Sequence, residues 1–159
     1  MNKHRFTIGV DPDTYKNGVA LWDDRTLIRL EMMSRMEIIE EFRFKSDAIF
    51  SIENVAKSDA VFVKEDRKKS KAERDNYLVK RAISLGMVQQ AQIELIRELD
   101  YYQIPYVLQD ISSAWKRGNK PEYKKQAEMA DFKDKTGWTK NSNDETRSAA
   151  YMGYLKVRK

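Results

Sequence analysis

The chain has 159 residues, 30 Lys and Arg against 25 Asp and Glu, a net charge of +5, one histidine and no cysteine. That length suits one domain with a real core, and the missing cysteines exclude disulfides, thiolate metal sites and a cysteine nucleophile. The basic excess favours phosphate-bearing partners. No apolar run reaches the length of a membrane span, and the start MNKHRFTIGVDP lacks a signal-peptide core, so a cytoplasmic, intracellular protein is expected.

Residues 6–10, FTIGV, form a short β-rich run and predict a first strand. After the loop DPDTYKNG, residues 18–22 predict a second strand and residues 26–32 a third, with Asp23, Asp24 and Arg25 as the turn between them. Three strands in quick succession predict an antiparallel meander. The segment SRMEIIEEFRF has apolar residues at helical spacing, and residues 48–52 form a further β-like run ending at Glu53. A helix between two strands predicts parallel pairing. Residues 64–81 are dense in charge, and the first half of that stretch reads as a mobile, exposed loop. Ile83, Met87, Ala91, Leu95 and Leu99 then recur every fourth position, which predicts a long helix. Pro105 ends it and a short strand follows. Residues 115–140 are again basic, with Pro121 placed as a first-turn proline, and residues 142–156 predict a terminal helix. The order βββαβαβαα describes an α/β domain with a mixed sheet.

Two acids close apolar strands: Asp11 after FTIGV and Glu53 after AIFSI. Sites in α/β folds are built at such strand ends. Two carboxylates on neighbouring parallel strands repel each other, and a hard cation such as Mg²⁺ relieves that repulsion. Strand-terminal acids also simply mark loops. A third acidic position is Asp144-Glu145, where Ser142-Asn-Asp-Glu145 fits a capping box with Ser142 as N-cap. Lys116, Arg117, Lys120, Lys124 and Lys125 follow a strand-end loop on the side expected to carry the acids, and are candidates for binding phosphates. They equally suit a solvated helix surface. Lys68, Lys69 and Lys71 form a second basic cluster, Phe62 is a candidate wedge or stacking residue, and Tyr15 lies in the Asp11 loop.

The segment IGVDPDTYKNGVAL, with Asp11, Pro12 and Gly18, resembles the opening hairpin of the RuvC-type Holliday-junction resolvases of the RNase H-like superfamily. Three further elements resemble that family in order: IEN at Glu53, SLGMVQQA from Ser84, and NDETRSAAYMG from Asn143. The resemblance implies one RNase H-like nuclease domain over residues 1–159, with a five-stranded mixed sheet, strands one to three antiparallel, flanked by helices. It implies a Mg²⁺-dependent endonuclease, with Mn²⁺ substituting, that resolves four-way DNA junctions by paired hydrolysis. It places Asp11 and Glu53 as central metal ligands and draws further ligands from the last helix. Aligning Ala149 puts Glu145 at the first helix position and Ser148 at the second, where the family has Asp; Asp144 shares the helix face of Ser148 and is the candidate substitute.

Phosphodiester hydrolysis needs a nucleophilic water, a stabilised leaving alkoxide and neutralised phosphate charge, all of which carboxylate-held metal ions supply without Cys or His. Paired nicks imply a homodimer, with the helix from Ile83 to Leu99, followed by Tyr101 and Tyr102, as the interface element. Other readings are a nuclease of the same superfamily acting on RNA–DNA hybrids or other branched DNA, and a nonenzymatic junction-binding protein, which Ser148 motivates. An actin-like nucleotide site fits GVDPDT, but such proteins need two domains and this chain is too short for them.

Overall fold

The computed structural model describes residues 4–57 and 70–158. In chain order it contains β1 (Phe6–Asp11), β2 (Asn17–Asp23), β3 (Thr26–Met33), α1 (Arg35–Phe42), β4 (Ala48–Glu53), a short 3₁₀ turn (Val55–Lys57), α2 (Lys71–Tyr101), β5 (Tyr106–Gln109), α3 (Glu122–Thr136) and α4 (Asp144–Val157). This is the expected βββαβαβαα order. The strands form one sheet ordered β3-β2-β1-β4-β5. β1, β2 and β3 pair antiparallel, whereas β4 is parallel to β1 and to β5.

Strand chemistry explains the order. β1, β2 and β4 are buried almost end to end, as strands covered on both faces must be. β3 and β5 are the edges and are partly exposed. One face of the sheet, with Ile8, Val10, Val19, Leu21, Phe50 and Ile52, packs on Ile38, Ile39 and Phe42 of α1 and on Leu95 and Leu99 of α2. The other face, with Ala20 and Trp22, packs against Trp115, Phe132 of α3 and Ala149, Ala150 and Val157 of α4.

The apolar stripe of α2 divides in two. Leu95 and Leu99 are buried, but Ile83 is 59% and Met87 46% exposed. Length is the reason. A helix of 31 residues spans roughly 46 Å at 1.5 Å per residue. The longest strand, of 8 residues, spans roughly 26 Å. The first half of the helix therefore runs beyond the sheet. The loop expected in the first half of residues 64–81, together with Phe62, Lys68 and Lys69, lies outside the described residues; Lys71 opens α2 and is exposed.

Candidate active site

Strand parity sets the site. Ile8 and Val10 of β1, and Phe50 and Ile52 of β4, point to the α1–α2 core. Side chains alternate along a strand, so Gly9 and Asp11 of β1 and Ser51 and Glu53 of β4 face α4. The parallel register pairs Gly9 with Ser51 and Val10 with Ile52. The two acids lie one step further on, side by side at the strand ends. Both are buried, Asp11 at 7% and Glu53 at 2% exposure.

The ammonium of Lys116 sits between them, 3.1 Å from Asp11 Oδ2 and 3.7 Å from Glu53 Oε2. The backbone amide of Ser112 donates to Glu53 Oε1 at 3.1 Å and fixes that carboxylate. Burial pushes the Asp11 carboxyl up to about 7; the Lys116 charge pulls it down and the Glu53 charge adds to the rise. Burial lowers the Lys116 ammonium, but Asp11 and Glu53 outweigh it and hold it above the usual lysine range.

α4 lies directly over these strand ends, because two glycines let it. A Cβ on Gly9 would strike the Ala149 carbonyl, and one on Gly18 the Glu145 carbonyl. Gly18 is the register partner of Asp11, so the first turn of α4 lies beside the acid. Ser51 Oγ donates to the Met152 carbonyl at 2.7 Å. Ser148 is one helical turn before Met152, and Glu53 is two residues beyond Ser51, so the two advances along the sheet match and Ser148 lies at the level of Glu53. Ser148 is fully buried, and its Oγ has no hydrogen-bond partner among the described residues.

Asp144 is engaged elsewhere. Its Oδ1 accepts from the Arg117 amide at 2.9 Å and its Oδ2 from the Gly118 amide at 2.8 Å, and it pairs with the Arg147 guanidinium. Burial raises its carboxyl, but these two amides and Arg147 together hold it below the usual carboxylate range. Arg147, buried at 3% exposure, also donates to the Trp115 carbonyl and to the Ser142 carbonyl and hydroxyl. Asp144 and Arg147 thus clamp the loop that carries Lys116. Sequence reasoning missed this clamp; its signal was the acid–base pair three residues apart at the start of a helix. The capping box also sits one residue later than expected. Asn143 is the N-cap, its side chain accepting from the Thr146 amide at 2.8 Å while the Thr146 hydroxyl accepts from the Asn143 amide at 3.0 Å. The reason is that the Ser142 carbonyl and hydroxyl are bound by Arg147. Glu145 becomes a half-buried second residue of α4, suited to the helix dipole. Among the described residues no three acidic or histidine side chains converge.

The donor set fits one hard cation. It offers two adjacent carboxylates that already hold a positive charge between them, and the orphaned hydroxyl of Ser148 at the same level. Mg²⁺ is commonly held by one or two carboxylates, with waters and substrate phosphates completing its shell.

The other basic residues surround this pair unevenly. Lys120 bonds the Glu128 carboxylate and the Ser113 carbonyl, both at 2.6 Å, and Lys125 lies 4.0 Å from Glu122. Arg117 and Lys124 are exposed. A groove of about 750 Å³ opens beside Lys116, which lines it with residues including Gly118, Lys120, Pro121 and Lys124. Pro121 is the N-cap of α3 rather than its first helical residue. Tyr15, at 84% exposure, stands out from the Asp11 loop. Trp115 is fully buried against Phe132, Tyr151 and Tyr154 and presents no face to a ligand. No helix among the described residues is long and apolar enough to cross a membrane.

No family model matches the chain, and no curated protein sequence matches it. Solved structures do. RuvC of Thermus thermophilus in complex with a Holliday junction substrate is 12% identical with a TM-score of 0.51, covering 95% of this chain and 91% of that one. A second Thermus thermophilus RuvC structure is 10% identical with a TM-score of 0.54, covering 94% and 91%. Fowlpox virus resolvase with Holliday junction DNA is 10% identical with a TM-score of 0.47, covering 96% and 98%. At these identities the likeness is one of fold. The chain has the RNase H-like fold of RuvC, as the motifs around Asp11 and Glu53 led us to expect.

Proposed function

We propose that the chain is a single RNase H-like nuclease domain that resolves four-way DNA junctions by metal-dependent hydrolysis of paired phosphodiesters. The observation that supports this most is the buried pair Asp11 and Glu53, side by side at the ends of parallel strands with a cation seated between them. Their carboxylates would hold Mg²⁺, or Mn²⁺ in its place. A metal ion held there supplies charge neutralisation at the phosphate and a water that is nucleophilic near neutral pH. Ser112 keeps the Glu53 carboxylate aimed by its amide. The Lys116 ammonium reaches both carboxylates and is the nearest side chain able to pair with a phosphate oxygen bound over them. Arg117 and Lys124 would take flanking phosphates, with Lys120, Lys125, Lys71 and Tyr15 further out. From α4, Ser148 contributes a hydroxyl at the level of Glu53 and Glu145 remains a candidate outer ligand, while Asp144 braces the Lys116 loop.

Two nicks placed symmetrically call for two copies. The overhanging half of α2 exposes Tyr77, Val79, Ile83 and Met87, and a second copy of this chain is the occupant that such paired cutting requires. In the cell such an enzyme acts on branched DNA in the cytoplasm.

The test is incubation with a labelled four-way junction in Mg²⁺ or Mn²⁺, beside a linear duplex, a flap and an RNA–DNA hybrid. The expected result is paired nicks in the junction, lost in Asp11→Asn with junction binding retained. Cutting of the flap or hybrid alone changes the substrate and keeps the site. A second reading, a nonenzymatic junction binder, is favoured by the lack of a third acid beside the pair among the described residues. Tight junction binding without cutting in either metal would establish it.

A further inference from the structure

We propose that Lys116 is the resident counter-cation of the acid pair: its ammonium occupies the place between Asp11 and Glu53 when no divalent ion is bound, and a metal ion entering the site displaces it. This rests on the reading of Asp11 and Glu53 as the residues that hold the metal.

Two adjacent carboxylates at 7% and 2% exposure face one ammonium, that of Lys116, at 3.1 and 3.7 Å. The ion pairs that these two acids make among the described residues are both with Lys116. The position is built rather than incidental, because the root of the side chain is held on every side. The Trp115 amide donates to Glu128 at 2.6 Å, its indole donates to Asp131 at 2.7 Å, and its carbonyl accepts from Arg147 at 2.8 Å. The amides of Arg117 and Gly118 are fixed by Asp144. Trp115 and Gly118 flank Lys116 with φ of 61° and 45°, a left-handed geometry that the clamp enforces on the tryptophan.

What remains free is the four-carbon stem, whose side chain is 28% exposed. A divalent ion on the same oxygens and an ammonium about 3 Å from them repel one another, so occupancy is exclusive. The displaced ammonium has somewhere to go: the groove beside it, which Lys116 itself lines together with Lys120 and Lys124. Metal entry then does two things at once. It fills the acid pair, and it sends a cation towards the surface where a phosphate backbone would lie.

The test uses the whole chain without DNA. Mn²⁺ binding is measured by calorimetry on wild type, Lys116→Met, Lys116→Arg and Asp11→Asn. Removing the competing charge should tighten Mn²⁺ binding about tenfold, the equivalent of one charged hydrogen bond, while Lys116→Arg stays near wild type. In wild type, acetylation of Lys116 mapped by mass spectrometry should be slow without metal and speed up on adding Mg²⁺, which keeps the inference testable where Lys116→Met does not fold. Equal Mn²⁺ affinity in wild type and Lys116→Met, or Lys116 reactivity that ignores metal, overturns the inference and leaves the metal reading standing. Mn²⁺ binding no stronger in wild type and Lys116→Met than in Asp11→Asn overturns both.

Discussion

The molecule carries two acidic pairs at one end of its sheet, and their partners differ. Asp11 and Glu53 stand on neighbouring parallel strands, buried and turned to the same face. Asp144 and Glu145 open α4 a short distance away. Among the described residues, the ion pairs of the first pair are with one ammonium, that of Lys116. In the second pair, Asp144 accepts two backbone amides and a guanidinium, each of which stabilises its ionised form. A carboxylate surrounded by donors is held in place as a structural anion. A carboxylate pair that faces a single lysine ammonium is the one that, in the proposed function, would hold the metal. In the proposed function, proximity to the strand ends does not by itself choose the acids that would hold a metal; the partners already in place favour Asp11 and Glu53.

The largest expected effect separates the pairs most sharply. Asp11→Asn or Glu53→Gln should lower junction cleavage at least about 10³-fold, roughly 4 kcal/mol of barrier, with junction binding close to wild type in a gel-shift assay. Asp144→Asn should lower cleavage only about tenfold, the scale expected of a residue that positions another, and raising Mg²⁺ should not restore it. If Asp144→Asn is as inactive as Asp11→Asn and is rescued by metal, Asp144 belongs with the first pair. The seat of α4 comes next. Gly9→Ala places a methyl group against the Ala149 carbonyl, and the required shift of α4 should cost roughly 2–3 kcal/mol in urea unfolding.

How much of this was legible in the sequence follows from which interactions are local. Asp11 and Glu53 could be found because each ends an apolar run, and strand alternation then assigns their face. The order of elements followed from the same patterns. The helix stripe from Ile83 to Leu99 was legible as a helix but not as half-covered, since periodicity does not state how far a sheet extends. The capping box of α4 was misplaced by one residue because Ser142 is engaged by Arg147, a choice made by tertiary contacts. Lys116 could be read as basic and near the acids. Its place between the two carboxylates depends on a loop held from α3 by Glu128 and Asp131 and from α4 by Asp144 and Arg147. None of those partners is near Lys116 in sequence. The resemblance to RuvC-type proteins spans the chain in four short motifs and holds at the level of fold.

A smaller effect lies within the second pair. Glu145→Gln removes a half-buried acid from the first turn of α4, and its loss should cost about 0.5 kcal/mol through the helix dipole. Asp144→Asn removes charge from three donors and should cost roughly 1–3 kcal/mol. Urea midpoints of the two variants at neutral pH compare them directly, and a Glu145→Gln loss equal to that of Asp144→Asn would show that α4 uses both acids structurally.

The finest comparison is in pH, because Asp11 and Asp144 should titrate with opposite sign in chelator-treated protein. Asp144 is held below the usual carboxylate range. It therefore contributes stability that is present above its unfolded pKa and is lost as pH falls through its lower folded value. Asp11 is raised from 3.8 to about 7. Its neutral form is favoured by folding, so its contribution is complete below its unfolded pKa and is lost as pH rises towards about 7. Urea unfolding of wild type should thus show a decline from Asp11 across the interval from about pH 4 to pH 7 and a separate decline at more acidic pH from Asp144. Asp11→Asn should flatten the first and leave the second, while Asp144→Asn should do the reverse. An Asp11→Asn curve parallel to wild type across that interval would mean that the Lys116 ammonium stabilises the Asp11 carboxylate enough to cancel the cost of its burial.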